Sequence, residues 1–204
     1  EEMELDGRDA REVSLAHIPP AAREALPVLV IGAGMSGILA GIRLQEEGIP
    51  YVIIEKNAGV GGTWYENTYP GCRVDVGNHF YCYSFEPNPD WQEFFSRQPE
   101  LQRYFASTAR KYGVEARIRF NTEVQAADFD EASGEWRVRV RAKDGAVETL
   151  RARVLISGVG QLNRPKLPDI DGLDRFRGPA FHSACWDHSV SLAGKRVAAQ
   201  PGLL

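Results

Sequence analysis

Three glycines near the start of the chain, Gly32, Gly34 and Gly37, have the spacing G-x-G-x-x-G. In this pattern the first glycine permits a tight turn, the second lets the backbone approach a pyrophosphate, and the third lets a helix pack close to a strand. A helix that begins here would direct free N–H groups and a partial positive charge toward the phosphates. The spacing predicts a dinucleotide-binding loop, although a glycine-rich turn without a ligand would contain the same residues.

A carboxylate and a second pair of glycines follow at useful distances. Glu55 stands eighteen residues after Gly37, at the end of an apolar run. A glutamate there can accept hydrogen bonds from ribose hydroxyls, and its charge would repel a 2′-phosphate. Gly61 and Gly62 come shortly afterwards and would let the chain pass close to the same ligand again.

A strand–helix–strand unit must position these groups. PVLVIGAG is a short β-branched run that stops at glycines, and IPYVIIEK is a second one, so both predict buried strands. Between them, MSGILAGIRLQEEG has apolar residues at helical spacing, and Gly48 stands where a helix commonly ends. Residues 27–56 therefore predict a βαβ unit, a parallel sheet and a right-handed crossover.

The remaining patterns predict a long loop, one more helix and a β-meander. Residues 57–90 show no clean period, and a loop of that length is usually functional. PELQRYFASTARKYG predicts a helix with one apolar face. From about 117 to 156 the period is two, with strands at TEVQAADFD, EWRVRVRA and VETLRARVLIS, and VLISGVG is expected to rejoin the parallel sheet.

Composition excludes several classes of protein. The 204 residues carry a net charge of −4, with 43% hydrophobic and 25% charged residues, which gives no reason to expect nucleic acid or an anionic membrane as a partner. No apolar run approaches the roughly 20 residues that span a bilayer, and the acidic N-terminus is unlike a signal peptide. Cys72, Cys82 and Cys185 are too few and too scattered for a disulfide framework or a zinc site. We expect buried thiols, no metal and a reducing cytoplasm.

The glycine pair and the predicted meander together resemble the flavoproteins with two dinucleotide-binding domains, in which the first fingerprint holds FAD. A plain NAD dehydrogenase would need neither feature. A disulfide reductase would carry a redox cysteine pair where this chain has Thr63, Trp64 and Tyr65. The resemblance therefore implies a Rossmann-type α/β FAD-binding fold with an inserted β-meander.

Two longer motifs resemble the Baeyer–Villiger monooxygenases, which are class B flavin-dependent enzymes. The family pattern G-G-x-W-x-x-x-x-Y-P-G-x-x-x-D is matched by Gly61, Gly62, Trp64, Tyr69, Pro70, Gly71 and Asp75. The pattern F-x-G-x-x-x-H-x-x-x-W-[P/D] is matched by Phe176, Gly178, His182, Trp186 and Asp187. Two stretches, NHFYCYSFEP and Cys72-Arg73-Val74-Asp75, are most similar to the hydroxyacetophenone-type branch.

The resemblance implies an activity. NADPH would reduce FAD, the reduced flavin would activate O₂, and one oxygen atom would enter a ketone to give an ester or a lactone. Related enzymes that oxidise nitrogen or sulfur share part of the motif, so that alternative stays open, as does a catalytically inert flavin-binding fragment. Substrate and oligomeric state are not predicted.

The resemblance also implies roles for single residues. Asp75 matches a carboxylate near the flavin that orients a catalytic arginine, Arg73 a position near the NADP site, and Tyr81 an aromatic residue that contacts the flavin. His182 and Trp186 match a linker that couples NADPH binding to movement. The full set expected to bind the cofactor is Gly32, Gly34, Gly37, Glu55, Lys56, Gly62, Thr63, Trp64, Arg73, Asp75, Tyr81 and Val124.

Each of these roles has a simpler alternative. Asp75 could be a turn former, Trp64 and Tyr81 could be core residues, and His182 could be an ordinary surface or core histidine. Only their places in the motifs favour function.

The domain organisation predicted from these patterns has four parts. Residues 1–26 form an arm, 27–160 the FAD-binding domain, 161–194 a linker, and 195–204 the truncated start of an NADPH domain. KRVA would begin that domain's first strand, but Pro201 and the absence of a second glycine fingerprint argue against its continuation. We therefore expect weak FAD binding and no NADPH oxidation from these 204 residues alone.

Overall fold

The computed structural model describes residues 27–199, so the predicted arm at 1–26 and residues 200–204 lie outside the described residues. Ten helices and strands follow one another in the described part. They are β1 (Val28–Ile31), α1 (Met35–Glu46), β2 (Tyr51–Ile54), α2 (Thr63–Glu66), α3 (Gln98–Lys111), β3 (Ile118–Arg119), β4 (Thr122–Asp130), β5 (Glu135–Ala142), β6 (Val147–Ala152) and β7 (Leu155–Ser157). They form a parallel sheet in the order β3-β2-β1-β7 and an antiparallel sheet in the order β4-β5-β6.

The predicted βαβ unit is confirmed. β1 and β2 are parallel, with Val28 opposite Tyr51 and Ile31 opposite Ile54. α1 ends in a Schellman motif, in which the N–H of Gly48 donates to the carbonyl of Gln45 and the N–H of Ile49 to that of Leu44. Gly48 has φ +65°, a conformation that glycine adopts at little cost.

The parallel sheet lies between the helices and the meander. One of its faces, with Val30 and Ile53, packs in a cluster with Ile38 of α1 and Phe105 of α3. The other face, with Leu29 and Ile54, packs in a second cluster with residues of β5 and β6, Val138, Val140 and Ala152. Because neighbouring residues of a strand point to opposite faces, a continuous apolar run such as LVI fills both clusters.

The meander is confirmed, but it is shorter than predicted. It extends from Thr122 to Ala152, and β4 contains a bulge between Val124 and Ala126. Residues 118–119 instead pair in parallel with β2, as β3. The predicted strand VETLRARVLIS is divided: β6 stays in the meander, while β7 pairs in parallel with β1, as expected for VLISGVG.

The helix predicted from PELQRYFASTARKYG is α3. Pro99 lies in its first turn, where a missing N–H costs no helical hydrogen bond. Its buried face contains Leu101, Tyr104, Phe105 and Thr108. Gly113, with φ +69°, follows the end of the helix.

Residues 158–199 contain two short 3₁₀ turns, Leu173–Arg175 and Ser183–Cys185, and otherwise no regular structure. The strand predicted at Lys195 is not formed in the described residues. Residues 195–199 are exposed there, and a strand needs a neighbour to satisfy its backbone groups. The expectation of three buried thiols was wrong in part, because Cys72 is buried, Cys82 is half-buried and Cys185 is exposed.

Candidate functional site

The turn between β1 and α1 is tight enough to require glycine at two positions. Gly32 has φ +92°, and a Cβ there would lie 2.7 Å from the carbonyl oxygen of Gly158. A Cβ on Gly37 would lie 1.8 Å from the carbonyl oxygen of Gly32. Gly34 differs, since a Cβ there would lie at ordinary contact distance from the backbone of Gly62, 3.5 Å from its Cα and 3.8 Å from its nitrogen. The first and third glycines therefore serve the fold, and the second keeps a space open.

The N-terminus of α1 opens onto that space. Its N-cap residue is Gly34, no side chain caps it, and its first turn contains no acidic residue. The first backbone N–H groups of a helix lack partners within the helix, and they carry its partial positive charge. α1 has twelve residues, so this end suits an anion such as a pyrophosphate.

Glu55 lies beside the same turn and is 4% exposed. Its Oε2 accepts a hydrogen bond from the N–H of Ala33 at 2.7 Å, and its Oε1 accepts one from the N–H of Asn57 at 2.8 Å. Because a carboxylate has about four acceptor sites, these bonds orient the group and leave capacity for hydroxyl donors.

The second glycine pair contacts the first loop directly. The N–H of Gly61 donates to the carbonyl of Ala33 at 2.9 Å, and a Cβ on Gly62 would lie 3.1 Å from the Cα of Gly34. Thr63 then begins α2. The two glycine-rich segments therefore form one surface. Gly32 and Gly61 are 29 residues apart in the sequence.

Lys56 connects this surface to later parts of the chain. Its Nζ lies 2.8 Å from Oε1 of Glu66 and donates to Oδ1 of Asn163 at 2.6 Å. Lys56 is thus beside the site, in contact with the predicted linker.

Trp64 and Tyr81 form a pair within the core. Trp64 is 6% exposed, and its indole N–H donates to the hydroxyl of Tyr81 at 3.0 Å. Their rings are perpendicular, with centroids 5.7 Å apart. Burial raises the pKa of Tyr81 above its ordinary value. Both residues contribute to packing, in agreement with the simpler alternative, and they also support the glycine-pair loop.

Asp75 lies on a loop that is anchored by its neighbours. The N–H of Val74 donates to the carbonyl of Ser96 at 3.0 Å, and the N–H of Ser96 donates to Oδ1 of the buried Asn78 at 3.1 Å. Asp75 itself is exposed, and within residues 27–199 its carboxylate has no hydrogen-bond or ion-pair partner. Arg73 pairs with Glu93 at 3.2 Å.

Three more of the predicted residues make contacts with other parts of the fold. Val124 is on β4, opposite Val140, and packs in the meander cluster. His182 caps a short 3₁₀ turn, with its Nδ1 accepting from the N–H of Ala184 at 3.1 Å. Trp186 packs perpendicular to Phe181, at 5.1 Å. A second histidine of this segment, His188, has its Nε2 2.8 Å from Oγ1 of Thr68.

Several supporting residues were missed by the sequence analysis. Tyr83 donates its hydroxyl to the carbonyl of Met35, at the start of α1, at 2.6 Å. Gln98 and Gln102 of α3 donate side-chain amides to the carbonyls of Trp64 and Val60. The available signal was two glutamines one helical turn apart, which a helix places on the same face.

The described residues offer neither of two other kinds of site. Among residues 27–199, no group of three His, Cys, Asp or Glu side chains is arranged to hold a metal ion. In the same range, none of the helices combines the length and the apolar character needed to cross a bilayer.

Two protein-family models match the chain. A model of the NAD(P)-binding Rossmann-like domain matches residues 30–98. A model of L-lysine 6-monooxygenase/L-ornithine 5-monooxygenase matches residues 85–198.

Similar proteins are monooxygenases. A Baeyer–Villiger monooxygenase of Pseudomonas aeruginosa is 43% identical over 180 residues, which cover 88% of this chain and 33% of the relative. A Baeyer–Villiger monooxygenase of Streptomyces coelicolor is 45% identical over 177 residues, which cover 86% of this chain and 33% of the relative. The structure of OTEMO in complex with FAD and NADP matches with a TM-score of 0.73 and 39% identity, over 83% of this chain and 32% of that one. The chain thus spans about a third of the length of the curated relatives it matches.

Proposed function

Since this chain belongs to the class B flavin-dependent monooxygenases, the family of the Baeyer–Villiger enzymes, we propose that it is the FAD-binding part of an enzyme that oxidises ketones. The enzyme would use NADPH and O₂ to insert one oxygen atom into a ketone, giving an ester or a lactone. The observation that carries the proposal is the contact between the two glycine loops at the uncapped end of α1, with Glu55 beside them.

The residues at this site fit FAD. The free N–H groups at the start of α1 would bind the pyrophosphate, and Gly34 would let it approach the backbone. Glu55, already oriented by Ala33 and Asn57, would accept hydrogen bonds from ribose hydroxyls. The flavin, when bound, supplies the redox chemistry and the activation of O₂. Gly62, Thr63 and Trp64 would form the backbone surface beside it.

Asp75 would act on the reacting centre through a guanidinium group. Its exposed carboxylate, without a partner in the described residues, is free to hold an arginine in place. Arg73, Tyr81 and Val124 keep their proposed cofactor contacts, and His182 and Trp186 their proposed coupling role. The substrate would be a small ketone, and the compartment the cytoplasm, in keeping with three free cysteines in the described residues.

A second candidate is the oxidation of an amine nitrogen, or of a sulfur atom. The family model of lysine and ornithine monooxygenases matches residues 85–198 and favours it. The Trp186-Asp187 end of the linker motif favours ketone oxidation instead. Incubation of the complete gene product with NADPH, O₂ and matched panels of ketones, amines and thioethers would separate the two. Each reaction adds one oxygen atom to its substrate, so the panel whose members gain oxygen identifies the reaction.

Two substitutions of Gly34 test the cofactor site. Gly34 has φ −77°, which any residue tolerates, and a methyl group there has room. We expect Gly34→Ala to fold and to lose FAD affinity by about tenfold, and Gly34→Leu to fold and to lose it by about a hundredfold or more, because its side chain would occupy the phosphate space. Flavin fluorescence titration would measure binding and circular dichroism would check folding. A folded Gly34→Leu protein with unchanged FAD affinity would show that the site is assigned wrongly.

A further inference from the structure

Gln102 of α3 lies against the glycine-pair loop, more than forty residues away in sequence. Its Nε2 donates to the carbonyl of Val60 at 2.7 Å. Its Oε1 is buried and lacks a hydrogen-bond partner among the described residues. A Cβ on Gly61 would lie 2.0 Å from that oxygen, so the amide rests on the bare Cα of Gly61.

The contact is part of a two-point attachment. One turn earlier in α3, the side-chain amide of Gln98 donates to the carbonyl of Trp64. The two glutamines thus hold the carbonyls on either side of Gly61 and Gly62, both of which have positive φ. Glycines adopt many conformations, so a loop built on two of them needs such external contacts to keep one.

We propose that Gln102 is a positioning residue that fixes the Gly61–Gly62 backbone in the conformation that receives the dinucleotide. The identity of the ligand rests on the proposed function. The effect of Gln102 on the conformation of the loop does not depend on it. Gln102 itself touches no reacting atom.

Simple packing does not explain a glutamine at this position. A leucine would fill similar space and would bury no unpaired oxygen, whereas an unsatisfied buried acceptor costs stability. We therefore attribute the presence of glutamine at position 102 to the hydrogen bond that its amide donates to the carbonyl of Val60. Since the N–H of Gly61 donates to Ala33, fixing Val60 also fixes the contact between the two glycine loops.

Three variants and a control test the proposal in the 204-residue chain. Gln102→Leu and Gln102→Met remove the donor, and Gln102→Glu replaces it with a carboxylate. Gln45→Leu is the control, because Gln45 on α1 also donates its side-chain amide to a backbone carbonyl, that of Tyr112 at 2.9 Å, at the other end of α3. Amide hydrogen exchange of residues 61–67, measured without cofactor, and titration with FAD are the two measurements.

We expect Gln102→Leu and Gln102→Met to exchange the amides of 61–67 at least tenfold faster than the unchanged chain and to weaken FAD binding five- to thirtyfold. Gln45→Leu should alter neither. Gln102→Glu should bind FAD poorly at pH 8, where a carboxylate faces the Val60 carbonyl. It should recover in part at pH 4, just below the ordinary glutamate pKa of about 4.3, where a protonated carboxyl can donate. A bulk packing role would give no such recovery.

Two results would overturn the inference. One is unchanged exchange of residues 61–67 in Gln102→Leu, and the other is an equal effect of Gln45→Leu. If FAD binds to none of the proteins, the proposed function fails, while the exchange of residues 61–67 still decides the role of Gln102.

Discussion

Gly37 and Gly48 show how different the demands on a glycine can be. A Cβ on Gly37 would lie 1.8 Å from a backbone oxygen, which cannot move without separating α1 from the first turn. Gly48 has φ +65°, but its Cβ would meet nothing within 4 Å. Gly37 is required because the backbone of the turn approaches it closely, and Gly48 is required only for its left-handed conformation.

We expect Gly37→Ala to lower the free energy of unfolding by about 3 kcal/mol or more and to abolish FAD binding, because the methyl group forces the helix away from the turn. Gly48→Ala should cost only about 1 kcal/mol, from its left-handed conformation, and should leave FAD binding intact. Urea unfolding and flavin titration would measure both. Equal losses in the two variants would contradict the role assigned to Gly37.

The residues that could be predicted from sequence are those whose role is local. The spacing of Gly32, Gly34 and Gly37 reflects one turn, and Glu55 ends the adjacent strand, so their positions follow from a βαβ unit. Gln102 and Tyr83 reach the site only through the packing of distant segments, and no local pattern shows that. The twelve proposed cofactor contacts stay predictions.

Helix α3 makes hydrogen bonds to several segments of the long loop that follows β2. Its first half holds the glycine-pair loop and, through Ser96 just before it, the Asp75 loop. Lys111, the last residue of α3, and Tyr112, directly after it, hold a third segment, since both donate to the carboxylate of Glu86. One helix thus supports most of the long predicted loop.

The carboxylate of Glu86 should make stability depend on acid pH. Its hydrogen bonds to Lys111, and then to Tyr112, lower its pKa below the ordinary 4.5. A lowered folded-state pKa means that the stabilisation is present above the ordinary value and is lost as the pH falls through the lowered one. We expect Glu86→Gln to lower Tm at pH 7 by no more than about 3 °C, because the pair is near the surface.

The difference in Tm between the unchanged chain and Glu86→Gln should shrink toward zero between pH 5 and pH 3, as followed by thermal melts. Asp90→Asn is a suitable control, because Asp90 is exposed on the same loop. A difference that stays constant across this range would show that Glu86 does not act through its charge.

Element types were more predictable than element ends. The strands, α1 and α3 follow from apolar period and terminal residues. β3 was missed because a strand of two residues is too short to show an alternating hydrophobic pattern. Its pairing depends on the position of β2 in the folded chain. β6 and β7 merged in the prediction because TLRARVLIS alternates almost without interruption, and only the sheet partners separate them.

At the scale of the whole molecule, the described chain has a packed part and an extended part. Residues 28–157 contain both apolar clusters and both sheets. Residues 158–199 are mostly exposed, and their polar contacts with earlier segments include those of Gly158, Asn163 and His188. Segments with few buried contacts open at low free-energy cost.

We expect limited trypsin digestion to cut first after Lys166, Arg175 and Arg177 and to leave a product that ends between 166 and 177. Arg103 and Arg110 are exposed too, but they lie on α3 and should resist. Mass spectrometry of early time points would locate the cuts. First cleavage within α3 or the meander would contradict this division of the molecule.

The turn between β1 and α1 also contacts a residue that is synthesised much later, Gly158. The N–H of Gly158 donates to the carbonyl of Ile31 at 2.8 Å, and its own carbonyl stands against Gly32. On the ribosome, the glycine turn is made early but lacks this wall until 126 more residues have been added. We therefore expect capture of the cofactor during synthesis to wait until β7 has emerged, after the meander is complete.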